Sequence, residues 1–348
     1  IFNILANASA EVASYPFSTI EPNVGIIDVP DANLEPLSRI CNSSKTTPAT
    51  IKFLDVAGLV KGASKGEGLG NKFLSHIRTA DVLAHVVRCF YNGSVSYMKD
   101  EVAISEDIDP SEDIDIITTE LLLADIEILS RNREKLKSIA KSGDSLAKSE
   151  LDLVTYVIDV LNEGNTSLLD LLDEKQKVFL RKLNLISIKP ILYVANMGED
   201  EKSENLYRKL VAKVGEENVI KIYAKFEAEL KGLSREERQE YRKEFGIENG
   251  LERFINTCYR MLNLITFYTI NENEARAWSL RKGEKVIKAA GKIHSDMERG
   301  FIKAEVINLK DLLEAGSIQV AKERGKLRIE GKDYVVCDQD VIQIRFSV

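Results

Sequence analysis

FLDVAGLVKGASKGEGLGNKF, residues 53–73, constrains the fold more than any other stretch of this chain. Ile51 to Asp55 has the character of a short β-strand that ends on a carboxylate. Val56-Ala57-Gly58 then makes a tight turn, and Gly62, Gly66, Gly68 and Gly70 follow in a loop too rich in glycine to hold one rigid shape. A strand that delivers Asp to its carboxyl end, followed by D-x-x-G, suits a phosphate sensor. The Asp holds the water shell of Mg2+, and the Gly amide can follow a γ-phosphate. D-x-x-G alone also occurs in ordinary strand–turn units, so the reading needs partners elsewhere.

Composition sets the frame. With 348 residues, two or three domains are expected. The 44% hydrophobic and 30% charged content is that of a globular protein with sizeable cores. No apolar run approaches the roughly 20 residues that span a bilayer. Cys41, Cys89, Cys258 and Cys337 are scattered without a C-x-x-C pair, which argues against a zinc site or a disulfide framework and fits the reducing cytosol. The net charge of −7 speaks against a nucleic-acid coat, although the part from Leu264 onward holds 15 Lys and Arg against 13 Asp and Glu. The chain opens without Met on the apolar, helix-like Ile1-Phe2-Asn3-Ile4-Leu5.

Periodicity divides the chain. Val24–Val29, Ile51–Asp55, Val82–Cys89, Ile191–Ala195 and Val219–Tyr223 are short apolar runs separated by helical stretches. That pattern predicts a mostly parallel sheet covered on both faces. Between 108 and 188, Ile114, Ile117, Leu121, Ala124 and Ile128 repeat at helical spacing, as do Leu151, Val154, Ile158 and Leu161. These stripes predict either an antiparallel coiled-coil hairpin or two core-facing helices. Their place between two sheet strands favours an insertion. From 264 the strands become short: Ile265–Ile270, Ala275–Leu280, Ile302–Ile307, Leu327–Glu330, Tyr334–Cys337 and Val341–Phe346, with a helix near Glu284–Ile293. A small β-grasp-like α+β domain is expected there.

A nucleotide switch built on Asp55 needs three further parts. Thr19 sits in YPFSTIEPN, residues 15–23, where flanking prolines prevent regular structure and a hydroxyl can close on Mg2+. Asn196-Met197-Gly198-Glu199 follows a strand where GTPases place N-K-x-D. There the Asp accepts two hydrogen bonds from guanine and the Lys stem packs over the ring. Met197 and Glu199 replace these two, which weakens a guanine reading, since each unmatched buried group costs about 1–3 kcal/mol. Tyr223-Ala224-Lys225-Phe226-Glu227 occupies the place of a segment that buttresses the base, a weak signal alone.

With these parts in order, the chain resembles the Obg-like ATPases, the YchF group of translation-factor-related P-loop NTPases. The carrying motifs are YPFSTIEPN at 15–23, DVAGLVKGASKGEGLGN at 55–71, HVVRCF at 85–90, NMGE at 196–199, RAWSLRKG at 276–283, GKIHSDMERGFIKAEV at 291–306 and EGKDYVV at 330–336. The resemblance implies an α/β P-loop G-domain over 1–107 and 189–263, a helical coiled-coil insertion over 108–188 and a TGS domain over 264–348. It further implies Mg2+-dependent ATP hydrolysis, with ATP preferred over GTP because N-x-x-E replaces N-K-x-D. Thr19 and Asp55 are then the Mg2+-side residues. Gly58, Asn196, Met197, Glu199 and Ala224 are nucleotide contacts. Leu59 stands where Ras-like GTPases carry a water-orienting Gln, so that task passes to another group, the backbone, K+ or a partner. Tyr97 stands where some members carry a His that assists hydrolysis.

No G-x-x-x-x-G-K-[ST] occurs in the chain. The resemblance places that loop just before Ile1, so about 15–20 further residues, one strand plus the loop, are expected upstream. The 348-residue polypeptide alone is expected to be inactive in hydrolysis. The expected partners are ATP and the ribosome, met through the helical and TGS domains, with no DNA, no membrane, and a monomeric cytoplasmic protein. The alternatives are a GTPase of the same architecture and a non-catalytic adaptor that senses nucleotide. His76, His85 and His294 are too scattered for a metal site, and Lys61 and Lys65 have the character of solvated loop charges. Lys322, Arg324, Lys326, Arg328 and Lys332 are expected around one hairpin, as a solvated face or an RNA contact.

Overall fold

A computed structural model describes residues 1–7, 12–13, 23–56, 69–91, 98–99, 102–103 and 108–347. The chain order of the main elements begins β1 (Asn23–Asp28), α1 (Leu34–Cys41), β2 (Thr46–Thr47), β3 (Thr50–Asp55), α2 (Leu69–Thr79) and β4 (Leu83–Cys89). Two long helices follow, α3 (Pro110–Ala140) and α4 (Ser145–Asn162), and then α5 (Glu174–Lys182). The α/β pattern resumes with β5 (Ile191–Met197), α6 (Glu201–Val214), β6 (Val219–Ile222), α7 (Ala224–Glu229), α8 (Arg235–Phe245) and α9 (Gly250–Met261). The C-terminal part holds β7 (Leu264–Ile270), β8 (Ala275–Arg281), α10 (Val286–Ile293), α11 (Ser295–Arg299), β9 (Phe301–Asn308), α12 (Leu309–Ala315), α13 (Ile318–Glu323), β10 (Arg328–Glu330) and β11 (Asp340–Phe346). The chain divides into two compact units. One comprises Ile1, Ala13–Val24 and Leu54–Gly250, the other Phe2–Val12, Gly25–Phe53 and Leu251–Val348.

In the first unit β4, β5 and β6 form a parallel ladder in which Val87 pairs with Ala195 and Asn196 with Ile222. Residues 90–190 lie between β4 and β5, so the helical segment is an insertion between neighbouring parallel strands. Asp109 caps α3 by accepting from the Ser111 amide at 2.9 Å, and Pro110 opens the helix where no amide is needed. Asp144 caps α4 in the same way through Leu146 and Ala147. Asp173 and Gln176 make a reciprocal capping box on α5.

The two readings of the helical stripe both hold, on different halves of α3. Ile114 is buried with Val87, Cys89, Ala195 and Met197 against the parallel sheet, and Leu121 and Ala124 pack with Leu74 and Ile186. Further along, Leu122, Leu129 and Leu136 join Leu153, Val154, Val157 and Leu161 of α4 in a separate core. Thus α3 begins as a core helix of the α/β layer and ends as one arm of a hairpin.

The second unit contains a six-stranded sheet in the order β10-β9-β11-β7-β8-β2. Its core collects Phe267, Leu280, Val286, Ala289, Val306 and Ile342, and the Trp278 ring lies 6.3 Å from Phe267. Two expectations need correction. Tyr334–Cys337 is not a strand: only Val335 bridges, to Lys285, because Asp340 pulls this stretch into a turn through the Tyr334 hydroxyl and the Cys337 amide. The five basic residues do not surround one hairpin. Lys322 lies on α13, Arg328 on β10, and Lys326 and Arg328 are paired with Asp311 and Glu330. The added strand β2 is a two-residue segment that joins β8 in parallel, with Thr46 opposite Ala275.

β1 and β3 share a further small sheet with Val12–Ala13. Among the described residues, no helix is long and apolar enough to cross a membrane.

Candidate functional site

Asp55 is the last residue of β3, and its Oδ2 accepts from the Asn23 side-chain amide at a long 3.4 Å. Val29 donates to the Ala49 carbonyl at 2.8 Å, so β1 runs antiparallel to β3 and its first residue meets the end of its neighbour. Asn23 also closes the YPFSTIEPN motif, which brings the described end of that motif to the carboxylate. Asp55 is partly exposed, and among the described residues its one hydrogen bond is this weak one. A hard cation such as Mg2+ suits that donor. Thr19, Gly58, Leu59 and Tyr97 lie outside the described residues, as do Lys61 and Lys65.

The Asn196–Glu199 turn lies at the carboxyl ends of the parallel ladder, the usual place for ligands in open α/β sheets. Arg88, Asn196 and Ile222 are in register across β4, β5 and β6. The next residue, Met197, has its side chain in the core with Cys89, Leu206 and Leu210. What Met197 offers at the strand end is therefore its backbone, and its thioether does not take the place of a Lys stem above a ring. The Gly198 amide donates to the Cys89 carbonyl at 3.4 Å. A Cβ at Gly198 would meet Ser203 Oγ at 2.6 Å and Phe90 Cβ at 3.1 Å, so the turn needs glycine where it packs on both. Glu199 is exposed.

Asp200 closes the turn and caps α6. Its Oδ1 accepts from both the Ser203 amide and the Ser203 hydroxyl at 2.7 Å, and these bonds hold its carboxyl below the usual range. Ser203 itself is fully buried. The exit from the Asn196–Glu199 turn is thereby fixed to the helix that follows.

Ala224 opens α7, directly after β6, and is half-buried. Two contacts hold α7 from behind. Phe226 packs edge-on against Phe245 of α8 at 5.6 Å, and Glu227 pairs with Arg242 at 2.7 Å. Glu227 is buried, and its second oxygen has no partner among the described residues. Gly250 sits so close to β6 that a Cβ would reach the Lys221 carbonyl at 2.3 Å.

The structure thus groups Asp55 with Asn23, and Asn196, Gly198 and Asp200 with the start of α6, one strand from Ala224. Sequence reasoning missed Ser203 and Arg242. The D-x-x-S pattern after NMGE was a readable capping signal, whereas Arg242 stood unmarked in a highly charged helix. His85 is a structural residue: its ring lies 5.6 Å from Tyr193, and burial lowers its pKa to about 4. His294 accepts from the Asp296 amide as a helix cap. Glu112 and Asp113 lie in the first turn of α3, and Asp115 pairs with Lys213 at 2.6 Å. No group of three or more His, Cys, Asp or Glu side chains able to hold a metal occurs among the described residues.

The chain is similar to known proteins along its length. A family model described as "50S ribosome-binding GTPase" matches residues 1–119. A second, the YchF GTPase C-terminal domain described as a protein of unknown function, matches residues 264–347. The "Ribosome-binding ATPase YchF" of Bacillus subtilis (strain 168) is 44% identical over 355 residues, covering 100% of this chain and 95% of that protein. Its counterpart from Escherichia coli O157:H7 is 43% identical over 354 residues, with the same coverage. The solved structure of the Schizosaccharomyces pombe YchF GTPase superposes with a TM-score of 0.84 at 30% identity, covering 99% of this chain and 93% of that one.

Proposed function

This chain belongs to the YchF family of P-loop NTPases, and on that premise we propose that it is a Mg2+-dependent ATPase that acts as a nucleotide-controlled, ribosome-associated switch. The observation that carries the ATP reading is the turn Asn196–Glu199. It sits at the carboxyl ends of the parallel ladder, carries N-x-x-E instead of N-K-x-D, and its Asn196 is in register with Ile222, two residues before Ala224. Adenine has a donor at N6 and an acceptor at N1. An Asp aimed at the guanine edge would be unmatched against it, and Glu199 carries its carboxylate one methylene farther from the backbone, at an exposed position.

Thr19 and Asp55 hold Mg2+ in this reading, and Gly58 approaches the γ-phosphate. The metal, when bound, neutralises charge on the β- and γ-phosphates. Asn196, the Met197 backbone, Glu199 and Ala224 hold the base, and Asp200–Ser203 keeps that turn in place. Leu59 cannot orient the attacking water. That role falls to another group, with Tyr97 as the candidate position and K+ as a candidate further cation. Residues 1–107 and 189–263 form the nucleotide domain, 108–188 the helical arm and 264–348 the TGS domain. The names of the relatives support a ribosomal partner and hence a cytoplasmic setting, and in this reading the arm and the TGS domain meet that partner. Neither DNA nor a membrane is part of this reading, and the protein acts as a monomer. No phosphate loop lies within these 348 residues, so this polypeptide alone is expected to turn over no ATP.

Asp55→Asn tests the metal assignment on full-length protein. The variant should lose the Mg2+-dependent part of its ATP affinity and keep the Mg2+-independent part. An unchanged Mg2+ dependence would remove Asp55 from the site.

A further inference from the structure

The most elaborate buried charge cluster outside the nucleotide site lies between α2 and α3. Asp125 of α3 is completely buried. Its Oδ1 accepts from Arg78 Nη1 of α2 at 2.6 Å, and its Oδ2 from the Ser187 amide at 2.7 Å. The same guanidinium donates to the Asn184 carbonyl at 2.9 Å and to the Ala124 carbonyl at 3.1 Å. Lys189 completes the cluster. Its ammonium donates to the last carbonyls around α2, those of Ile77 at 3.3 Å, Arg78 at 2.5 Å and Ala80.

This arrangement is more than an ion pair. A cation on the final carbonyls satisfies acceptors that every helix end leaves open and complements the negative end of its dipole. The planar fork of Arg78 reaches a carboxylate and two backbone carbonyls at once, a geometry Lys cannot reproduce. Both termini of the inserted segment meet here: Asp125 from α3 on the way out, and Asn184, Ser187 and Lys189 on the way back to β5. The helix they grip is α2, which begins at the end of the Gly-rich stretch that follows Asp55. Asp125 also stands where α3 changes role, between Ala124 in the α/β core and Leu129 in the hairpin core. An apolar contact would have served for packing alone. A buried charge network can favour one arrangement over others, and this one ties α2 to residues 124–125 of α3 and to 184–189.

We propose that Arg78, Asp125 and Lys189 are positioning residues, a buried clamp that makes α2 and the root of the helical arm move as one body. Through it the state of the nucleotide site reaches the arm, and the arm's partner reaches the nucleotide site. The inference rests on the ATP-switch reading above.

The test is hydrogen exchange on full-length protein with ADP or with a non-hydrolysable ATP analogue, followed over the arm tip, residues 139–148. The wild type should show different exchange in the two states. Asp125→Asn, which keeps the shape and removes the charge, should shrink that difference at least fivefold. Its affinity for the analogue should stay within threefold, and its kcat for ATP should fall more than its KM rises. Asp125→Asn that retains the full difference would overturn the clamp, as would a wild type that binds the analogue and shows none. A wild type that fails to bind the analogue would instead overturn the ATP reading beneath it. If Asp125→Asn does not fold, Arg78→Lys serves. It keeps the charge and loses the fork, and should reduce the difference at least twofold, an unchanged difference again counting against the clamp.

Discussion

Arg242→Ala gives the strongest test of how α7, the segment proposed to buttress the base, is held. Arg242 of α8 is the only described partner of the buried Glu227 carboxylate, at 2.7 Å, and 3% of that side chain is exposed. Among the described residues the other carboxylate oxygen has no hydrogen-bond partner, and neither has the Arg242 Nε. Removing one member of a buried ion pair leaves an uncompensated charge and costs about 3–5 kcal/mol. For a unit of this size about 1 kcal/mol shifts melting by roughly 2–4 °C, so a drop of about 6–20 °C is expected. Differential scanning calorimetry reads this, with Glu240→Ala, an exposed position on the same helix, as the control that stays within about 0.5 kcal/mol. The double variant Glu227→Leu with Arg242→Met should recover most of the loss, because an apolar pair has no charge to desolvate. Since α7 begins at Ala224, Arg242→Ala should also weaken ATP binding by full-length protein. A melting point within about 2 °C of wild type would show that the pair does not anchor α7, and the reasoning would fail.

Other outcomes follow from single contacts. Glu199→Asp should move full-length protein toward GTP by about 5–150-fold, the range of one matched or unmatched group, in competition binding. His85 has its pKa lowered to about 4 by burial, so the unfolded chain takes up a proton near 6.5 that the folded chain refuses. The stability this residue contributes is therefore complete above pH 6.5 and lost as pH falls toward 4, about 3 kcal/mol at most. His85→Phe should flatten the urea-unfolding profile in that window. Leu129→Ala empties a fully buried position of the hairpin core and should cost about 2–5 kcal/mol in urea unfolding, without a change in ATP affinity.

Much of this was legible in the chain because local pattern and tertiary role coincide. Ile191–Ala195 and Val219–Tyr223 are apolar runs because parallel strands are covered on both faces, and both are strands within two residues of expectation. The D-x-x-G and N-x-x-E motifs stand out since strand ends must deliver polar groups there. What stayed hidden is non-local. The stripe from Ile114 to Ile128 carries no mark of where its partner changes from sheet to α4, as Leu and Ile serve both cores. Nothing in Thr46–Thr47 announces a strand that pairs with β8 more than 200 residues later, and only the register of Thr46 with Ala275 reveals it. Tyr334–Cys337 has strand composition, and the buried Asp340 overrides it. Arg78, Asp125 and Lys189 are far apart in sequence and have the look of ordinary surface charges until the helices bring them together.

The most direct measurement is an equilibrium competition of ATP against GTP on full-length protein, with and without Mg2+. Tenfold or greater preference for ATP, seen only with the metal, is the outcome this account requires. GTP bound as tightly as ATP, or affinity indifferent to Mg2+, would contradict it.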